Sequence, residues 1–238
     1  MNTILHIDTS GPDALIGISQ DLKIIASKQN SQSNTHGEFV QAGVDELFRD
    51  SAMQLKDIDA IAVTMGPGSY TGLRVGLASA KGLAFALNKP LIGLSTLTLL
   101  AKAAVGHLTA TENLLVNEKQ LQVFSMIDAR RMEIFGAIYN SSLEYLAAEK
   151  AMILDEALLL ALLSNGPLIC IGSGVAKTKI LTQHADFQNS SPLFLDYSYT
   201  IHDMAALAMI KFKAADFEDL AYSGPAYLKD YYQKPLIK

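Results

Sequence analysis

Residues 66–87, GPGSYTGLRVGLASAKGLAFAL, join a buried strand to a helix that contains several glycines. The preceding residues 60–65 form a short apolar run, which is typical of a strand covered on both faces, and a Gly-Pro-Gly sequence ends it. Ser69 or Thr71 can cap the first turn of the helix. A buried strand followed by a tight turn and a helix is the repeating unit of α/β proteins, so this segment indicates an α/β fold.

The smallest residues of this helix lie on one face and suggest close contact with another backbone. Gly72, Gly76, Ala80 and Ala84 recur at intervals of four and therefore share that face. Each glycine inside a helix costs about 0.5–1 kcal/mol relative to alanine, and close packing can compensate for this cost. Two explanations stay open: the helix packs tightly inside its own core, or it packs against a second chain. The two basic residues of the helix, and its length short of about 20 apolar residues, argue against a membrane span.

Strands and helices follow one another in an order that recurs along the chain. In the first half, apolar runs predict strands at residues 4–8, 14–19, 22–27, 60–65 and 90–94, and helical periodicity predicts helices at 38–50, 72–87 and 96–105. In the second half the predictions are strands at 121–128, 133–139 and 168–171 and helices at 155–163, 175–184 and 201–214. The repetition indicates two lobes, 1–107 and 108–238, each a mixed sheet flanked by helices, with the second lobe trimmed.

Charge and composition limit the functions that the chain can have alone. Its 238 residues carry a formal net charge of -5, which argues against a chain that grips a polyphosphate backbone by itself. The one cysteine, Cys170, lies in an apolar run and is expected to be a small buried residue. No basic segment or long apolar stretch precedes Asp8, so we expect a cytoplasmic protein that does not associate with membranes.

Two aspartates end corresponding strands of the two lobes and are candidates for a nucleotide site. Asp8 and Asp128 could hold a metal-bound phosphate between the lobes, which would make the chain an active ATPase or kinase. Asp128 is followed by Arg130, however, so a salt bridge that fixes the hairpin is an equally good explanation of that aspartate. The other candidate residues of such a cleft are Ser10, Gly172 and Gly174.

Other kinds of chemistry find little support in the sequence. The five histidines form no pair at the spacing of metal ligands, so we expect no metal site. Ser69 lacks the flanking glycines of a nucleophile elbow, so a peptidase is the weaker alternative. The tail after Gly224-Pro225 places tyrosines beside lysines, and it is either a solvated terminus or an arm that docks on the body or on a partner.

The sequence resembles the TsaB (YeaZ-like) family, which provides the dimerisation subunit of the bacterial tRNA threonylcarbamoyladenosine synthase complex and is paralogous to glycoprotease-like proteins. The resemblance rests on the long motif at residues 66–76, GPGSYTGLRVG, and on four shorter matches that span nearly the whole chain. Those matches are Ile7-Asp8-Thr9-Ser10, Leu94-Ser95-Thr96-Leu97, Asp128-Ala129-Arg130 with Glu133, and Pro225-Ala226-Tyr227-Leu228-Lys229.

The resemblance implies a duplicated actin-like ATPase (ASKHA) fold with a degenerate second lobe and a vestigial nucleotide cleft. It also implies a non-catalytic scaffold for a catalytic paralogue, TsaD, which transfers a threonylcarbamoyl group to adenosine 37 of tRNA. A small ATPase, TsaE, completes the machinery. ATP and a metal ion would belong to these partners and not to this chain, tRNA would bind only through the complex, and the isolated chain would form a homodimer.

The partner-binding surface is predicted on helices 38–50 and 72–87. Buried apolar anchors contribute about 1.5–3 kcal/mol each, so a few of them in a seam of small residues can hold a stable pair of subunits. The residues predicted to form this seam are Val40, Val44, Leu47, Leu73, Gly76, Leu77, Ala80 and Leu83.

Overall fold

Two five-stranded mixed sheets form the framework of the chain in its computed structural model. The structure describes residues 1–31, 36–110, 120–183, 187 and 191–229. Both sheets have the same topology, and helices cover their faces. The predicted α/β architecture of two mixed sheets flanked by helices is therefore confirmed.

The first sheet has the strand order β3-β2-β1-β4-β5. Strands β1 to β3 form an antiparallel meander, and β4 and β5 continue the sheet in parallel from β1. All six residues of β1 are buried, because it lies in the middle of the sheet with helices on both sides. The strand bounds are β1 Thr3–Asp8, β2 Ala14–Gln20, β3 Lys23–Asn30, β4 Ala60–Gly66 and β5 Leu91–Ser95.

The second sheet repeats this order as β8-β7-β6-β9-β10. Its strands are β6 Gln122–Asp128, β7 Glu133–Tyr139, β8 Tyr145–Ile153, β9 Leu168–Ile171 and β10 Leu193–Leu195. The sequence predictions missed the two edge strands, β8 and β10. The edge position leaves β8 half exposed without a clean alternation of apolar and polar residues, and β10 has only three residues, so neither carries a strong periodic signal.

Within the residues that the structure describes, six α-helices connect or follow the strands, and the connecting helices of the second half are shorter. In the first half, the helix between the third and fourth strands has 15 residues and the helix between the fourth and fifth strands has 18. The corresponding helices of the second half have 9 and 7 residues. The second lobe is therefore trimmed, as predicted. No helix in the described ranges is long and apolar enough to cross a membrane. The bounds are α1 His36–Asp50, α2 Tyr70–Leu87, α3 Thr96–Ala110, α4 Glu156–Ser164, α5 Val175–Leu181 and α6 Ile201–Lys213.

The small-residue face of α2 packs against the first sheet of the same chain. A Cβ atom at Gly72 would overlap the carbonyl oxygen of Thr9, and one at Gly76 would overlap the Thr9 hydroxyl oxygen. Thr9 Oγ1 donates a hydrogen bond of 2.6 Å to the Gly72 carbonyl, which fixes this close approach. Ser69 caps the helix, as expected, by accepting from the Gly72 amide at 3.2 Å. Of the two explanations for the glycines, internal packing is therefore correct and a second chain on this face is wrong.

The last helix of each half covers the sheet of the other half. Side chains of α6 pack with those of β1, β4 and β5 in the first sheet, among them Met204 and Ala208 against Ile4 and Ala62. Helix α3 instead packs on the second sheet, where Leu100 and Ala104 belong to one cluster with residues of β6, β7 and β9. The two lobes consequently share their hydrophobic cores along the line where they meet.

Candidate functional site

A cleft of about 730 Å³ opens between the two halves of the chain. Its walls come from the end of β1, the start of α2 and α3, the ends of β6 and β9, and the segment 195–199 after β10. Three of the predicted cleft residues, Ser10, Asp128 and Gly172, line it, whereas Asp8 and Gly174 do not. Of the two predicted aspartates, Asp128 therefore lies in the wall of this cleft and Asp8 does not.

Asp8 uses its carboxylate entirely within the chain. Its Oδ1 accepts hydrogen bonds from the Thr64 hydroxyl at 2.7 Å and from the Ser10 amide at 2.8 Å. Its Oδ2 accepts a hydrogen bond of 2.7 Å from the Tyr199 hydroxyl. Asp8 is 4% exposed, and Tyr199 itself lines the cleft. The phenol thus stands where a ligand in the cleft would have to reach the carboxylate.

Tyr199 is the functional-site residue that sequence reasoning missed. Burial and the neighbouring Asp8 raise the pKa of its hydroxyl well above the ordinary value of 10, so the group stays a hydrogen-bond donor. Its hydroxyl also lies 3.0 Å from the Ser10 hydroxyl. The segment around Tyr199 carries no motif, and the contact joins residues 191 positions apart, so no local signal could have revealed it.

Asp128 is held by a lysine and not by the predicted arginine. Lys177 Nζ lies 2.7 Å from Asp128 Oδ1 and also donates to the Glu133 carbonyl at 2.8 Å. Arg130 contributes only its backbone amide, which donates to Asp128 Oδ1 at 2.6 Å. The hydrogen bond from Lys177 lowers the pKa of Asp128. The predicted Asp128–Arg130 salt bridge is wrong because the lysine on α5 projects across the hairpin and occupies the carboxylate.

The glycines after β9 serve chain packing. Gly172 has a φ of +100°, which favours glycine, and a Cβ there would overlap the carbonyl oxygen of Met126. A Cβ on Gly174 would come within 2.6 Å of the Met126 Cβ. Both glycines therefore let the turn before α5 pass closely over β6, a requirement that is independent of phosphate binding.

The wall of the cleft contains no positive charge among the residues that the structure describes. Its two charged residues are Asp128 and Asp196, and they pair with Lys177 and with Lys179, respectively. Within the described ranges, no group of three or more His, Cys, Asp or Glu side chains could hold a metal ion. Polyphosphates bind through cations and clustered amides, so this wall is poorly suited to a triphosphate.

The predicted partner-binding residues are mostly buried inside the chain. Seven of the eight are buried, because they form the packing between α1, α2 and the first sheet: Val40, Val44, Leu47, Leu73, Gly76, Leu77 and Ala80. Leu83 alone is partly exposed. A partner can therefore reach these two helices only from their outer sides.

A surface groove of about 420 Å³ runs between the outer sides of α1 and α2. Gln41 and Asp45 border it on α1, and the small residues Ala78 and Gly82 border it on α2. Three of the predicted partner-binding residues, Val40, Val44 and Leu83, also line it. A Cβ at Gly82 would meet nothing within 4 Å, so here the helix backbone is accessible. Phe85, one turn further along α2, is 81% exposed. We call this surface, residues 41, 45, 78, 82 and 85, the outer groove.

The C-terminal segment docks on the body of the chain as far as residue 229. The Ala226 amide donates to the Met65 carbonyl at 2.7 Å, and the Arg74 guanidinium donates to the Tyr227 hydroxyl at 2.9 Å while stacking over the Tyr70 ring. Lys229 forms an ion pair with Glu133 of the second lobe. Of the two explanations for the arm, docking is correct for this part; the tyrosines and lysine at 231–234 lie outside the described residues.

The repeated sheet order, the helices exchanged between halves and the cleft between them define a protein of the actin-like ATPase (ASKHA) fold, as predicted. The solved structure of YeaZ from Pseudomonas aeruginosa has the same fold, with a TM-score of 0.74 at 23% identity over 96% of this chain and all of that one. The sequence model described as "TsaD: tRNA N6-adenosine threonylcarbamoyltransferase" matches residues 23–236. The chain therefore belongs to this family.

Relatives within the family bear the TsaB name. The tRNA threonylcarbamoyladenosine biosynthesis protein TsaB of Haemophilus influenzae is 35% identical over 56% of this chain and 52% of its own length. An uncharacterized Mycobacterium tuberculosis protein is 33% identical over 58% of this chain. The chain spans about 60% of the length of that mycobacterial relative. The predicted TsaB resemblance is confirmed by these names.

Proposed function

We propose that the chain is an accessory subunit in the formation of threonylcarbamoyladenosine at adenosine 37 of tRNA. In this role it supports a catalytic TsaD-type paralogue and carries out no chemistry itself. The observation that carries the proposal is the state of Asp8, whose two carboxylate oxygens accept hydrogen bonds from Thr64, Ser10 and Tyr199. A carboxylate used in this way is a poor ligand for a metal-bound nucleotide.

We propose the partners and cofactors of this subunit by analogy with the family. A TsaD-like paralogue would bind its outer groove, and a small TsaE-like ATPase would join the complex. ATP and a metal ion would be held by these partners, and tRNA would be bound by the assembly. In isolation the chain would pair with a second copy through the same groove, and the complex would work in the cytoplasm.

The outer groove supports this proposal by its shape and composition. Small residues on α2 leave the helix backbone open to close approach by another helix. The exposed Phe85 supplies an aromatic anchor of the kind enriched in protein interfaces. Opposite them, the border on α1 is polar, with Gln41 and Asp45, which provides hydrogen-bonding groups at the rim.

Co-purification tests the proposed surface. The change Gly82→Arg places a long charged side chain on the open part of the groove, so we expect capture of the co-expressed TsaD-type paralogue to be lost. The matched control is Ala148→Arg on the exposed edge strand β8, which should leave capture intact. Equal capture by both variants, with each folded by circular dichroism, would reject the outer groove as the interface.

Calorimetry separates the accessory role from the active ATPase or kinase. Titration of magnesium ATP into the chain alone should give no heat of binding, because Asp8 is occupied and the described cleft wall lacks a cation. Saturable binding to the chain alone that is lost in Asp128→Asn would support the enzyme instead. Cells that lack the chain should also lose threonylcarbamoyladenosine from their tRNA, which mass spectrometry of digested tRNA measures directly.

A further inference from the structure

The turn between β6 and β7 holds two adjacent arginines in an unfavourable backbone conformation. Arg130 has a φ of 73° and Arg131 a φ of 49°, both in the left-handed region. Hairpin turns usually supply this conformation with Asn, Asp or Gly, because other L-residues are strained there by roughly 1–2 kcal/mol each. The hairpin closes through the Ala129 amide to the Glu133 carbonyl and the Glu133 amide to the Arg130 carbonyl, both 3.1 Å.

The carboxylates that flank this turn are already neutralised by lysines. Asp128 pairs with Lys177, and Glu133 pairs with Lys229. Both arginines are exposed, and neither forms an ion pair or hydrogen bond through its guanidinium with any residue in the described part of the chain. The two guanidinium charges at this turn are therefore unpaired in the described part of the chain, whose full sequence has a net charge of -5.

We propose that Arg130 and Arg131 form a contact site for the phosphate backbone of RNA. The inference deepens the proposed function, since it rests on an assembly that handles tRNA, and it gives this chain a direct part in holding that substrate. Guanidinium groups match phosphate oxygens in geometry, and such contacts position a nucleic acid without reading its sequence. The strained hairpin holds the two side chains at neighbouring positions before the RNA arrives, which lowers the entropic cost of binding.

An RNA backbone fits this turn better than an acidic protein surface. Strong protein contacts of arginine lie in desolvated centres that are ringed by apolar residues. Here the turn is the exposed tip of the β6–β7 hairpin. Of its residues, Met132 alone has a large apolar side chain, and that side chain is 40% exposed. Phosphate contacts remain effective at such an exposed tip, because their free energy comes largely from the release of counterions.

The salt dependence of tRNA binding tests this inference. The probe is a fluorescent tRNA transcript with an unmodified adenosine 37, titrated with the assembled complex across a salt series. Replacing both arginines, Arg130→Gln with Arg131→Gln, should weaken binding and reduce the slope of log K against log salt by about two. The matched control, Lys56→Gln with Lys213→Gln, removes two exposed charges elsewhere and should leave affinity and slope unchanged.

A charge-conserving variant shows whether the effect is electrostatic. The pair Arg130→Lys with Arg131→Lys should keep most of the salt slope. A glutamine pair that binds tRNA with the wild-type slope would overturn the inference. A glutamine pair that no longer assembles with the paralogue on gel filtration would also overturn it, because the turn would then be a protein contact.

The proposed function can fail independently of this inference. If the wild-type chain does not assemble with a TsaD-type paralogue, the accessory role fails, and the same titration is made with the chain alone at low salt. A loss of binding confined to the glutamine pair supports the arginine site in that case, and equal binding by wild type and variant rejects it.

Discussion

The hydroxyl of Tyr199 donates a 2.7 Å hydrogen bond to Oδ2 of Asp8 and thereby joins the segment after β10 to the end of β1. The cleft opens between the lobes at this place. Here a side chain of the chain itself links the lobes by a hydrogen bond that needs no ligand. Tyr197 adds a second link, because its hydroxyl donates to the Ala103 carbonyl of α3 at 2.7 Å.

Removing the Tyr199 hydroxyl should destabilise the protein. In Tyr199→Phe the Oδ2 of buried Asp8 loses its donor, and we expect the free energy of unfolding to fall by about 1–3 kcal/mol. Urea denaturation measures this change. Tyr222→Phe is the control, since Tyr222 is 89% exposed and should change stability little. Identical midpoints for the two variants would contradict the bridging role of Tyr199.

Two alanine substitutions on α2 should act in opposite directions. A methyl group at Gly72 would collide with the Thr9 backbone, so Gly72→Ala should cost about 1–3 kcal/mol or more. Gly82 faces open space, so Gly82→Ala should stabilise the chain by about 0.5–1 kcal/mol through helix propensity. Thermal unfolding of both variants tests the packing of the helix, and stabilisation by Gly72→Ala would refute it.

Burial of His6 should make stability depend on pH in the acid range. Desolvation lowers its pKa from 6.5 to about 3, so the folded state requires the neutral ring. The contribution of His6 to the free energy of unfolding is therefore constant above pH 6.5, where the ring is neutral in both the folded and the unfolded state. Between pH 6.5 and 3 the unfolded state binds a proton that the folded state does not, so the free energy of unfolding falls by about 1.4 kcal/mol per pH unit. The difference in unfolding free energy between wild type and His6→Gln should therefore be constant above pH 6.5 and change below it. Parallel curves down to pH 3 would contradict this assignment.

Loosening the docked C-terminal segment should not require unfolding of the core. Arg74→Ala removes the hydrogen bond to Tyr227 and the stacking over Tyr70. We expect faster hydrogen exchange at the Ala226 amide, which bonds to Met65, while amides of β1 keep their protection. Arg49→Ala, which breaks an exposed ion pair on α1, serves as the control and should leave Ala226 unchanged. Unaltered exchange in both variants would show that the arm docks independently of Arg74.

The parts of the fold that sequence could predict were those with a strong local signal. Three buried strands lie where they were predicted, β1, β4 and β9, because burial on both faces requires a continuous apolar run. Helix α1 also lies where it was predicted, because burial of one face gives its sequence a helical periodicity. The resemblance to a family supplied the fold name and the pairing of the lobes. The boundary predicted between residues 107 and 108 lies inside helix α3.

The contacts that define the site could not be predicted in the same way. Spacing identified the small-residue face of α2 but not what covers it, since a strand of the same chain and a helix of another demand equally small residues. Asp128 lines the cleft, yet its partner, Lys177, lies 49 positions away on a different element. Long-range partners of this kind depend on the assembled topology, which no local pattern encodes.

The crossing of α3 and α6 between the halves makes each half depend on the other for its packing. Without the second half, the face of the first sheet that α6 covers would be exposed to solvent, and so would the apolar residues of α3 that pack on the second sheet. A polypeptide cut at residue 107 would therefore lack the packing that completes its own fold.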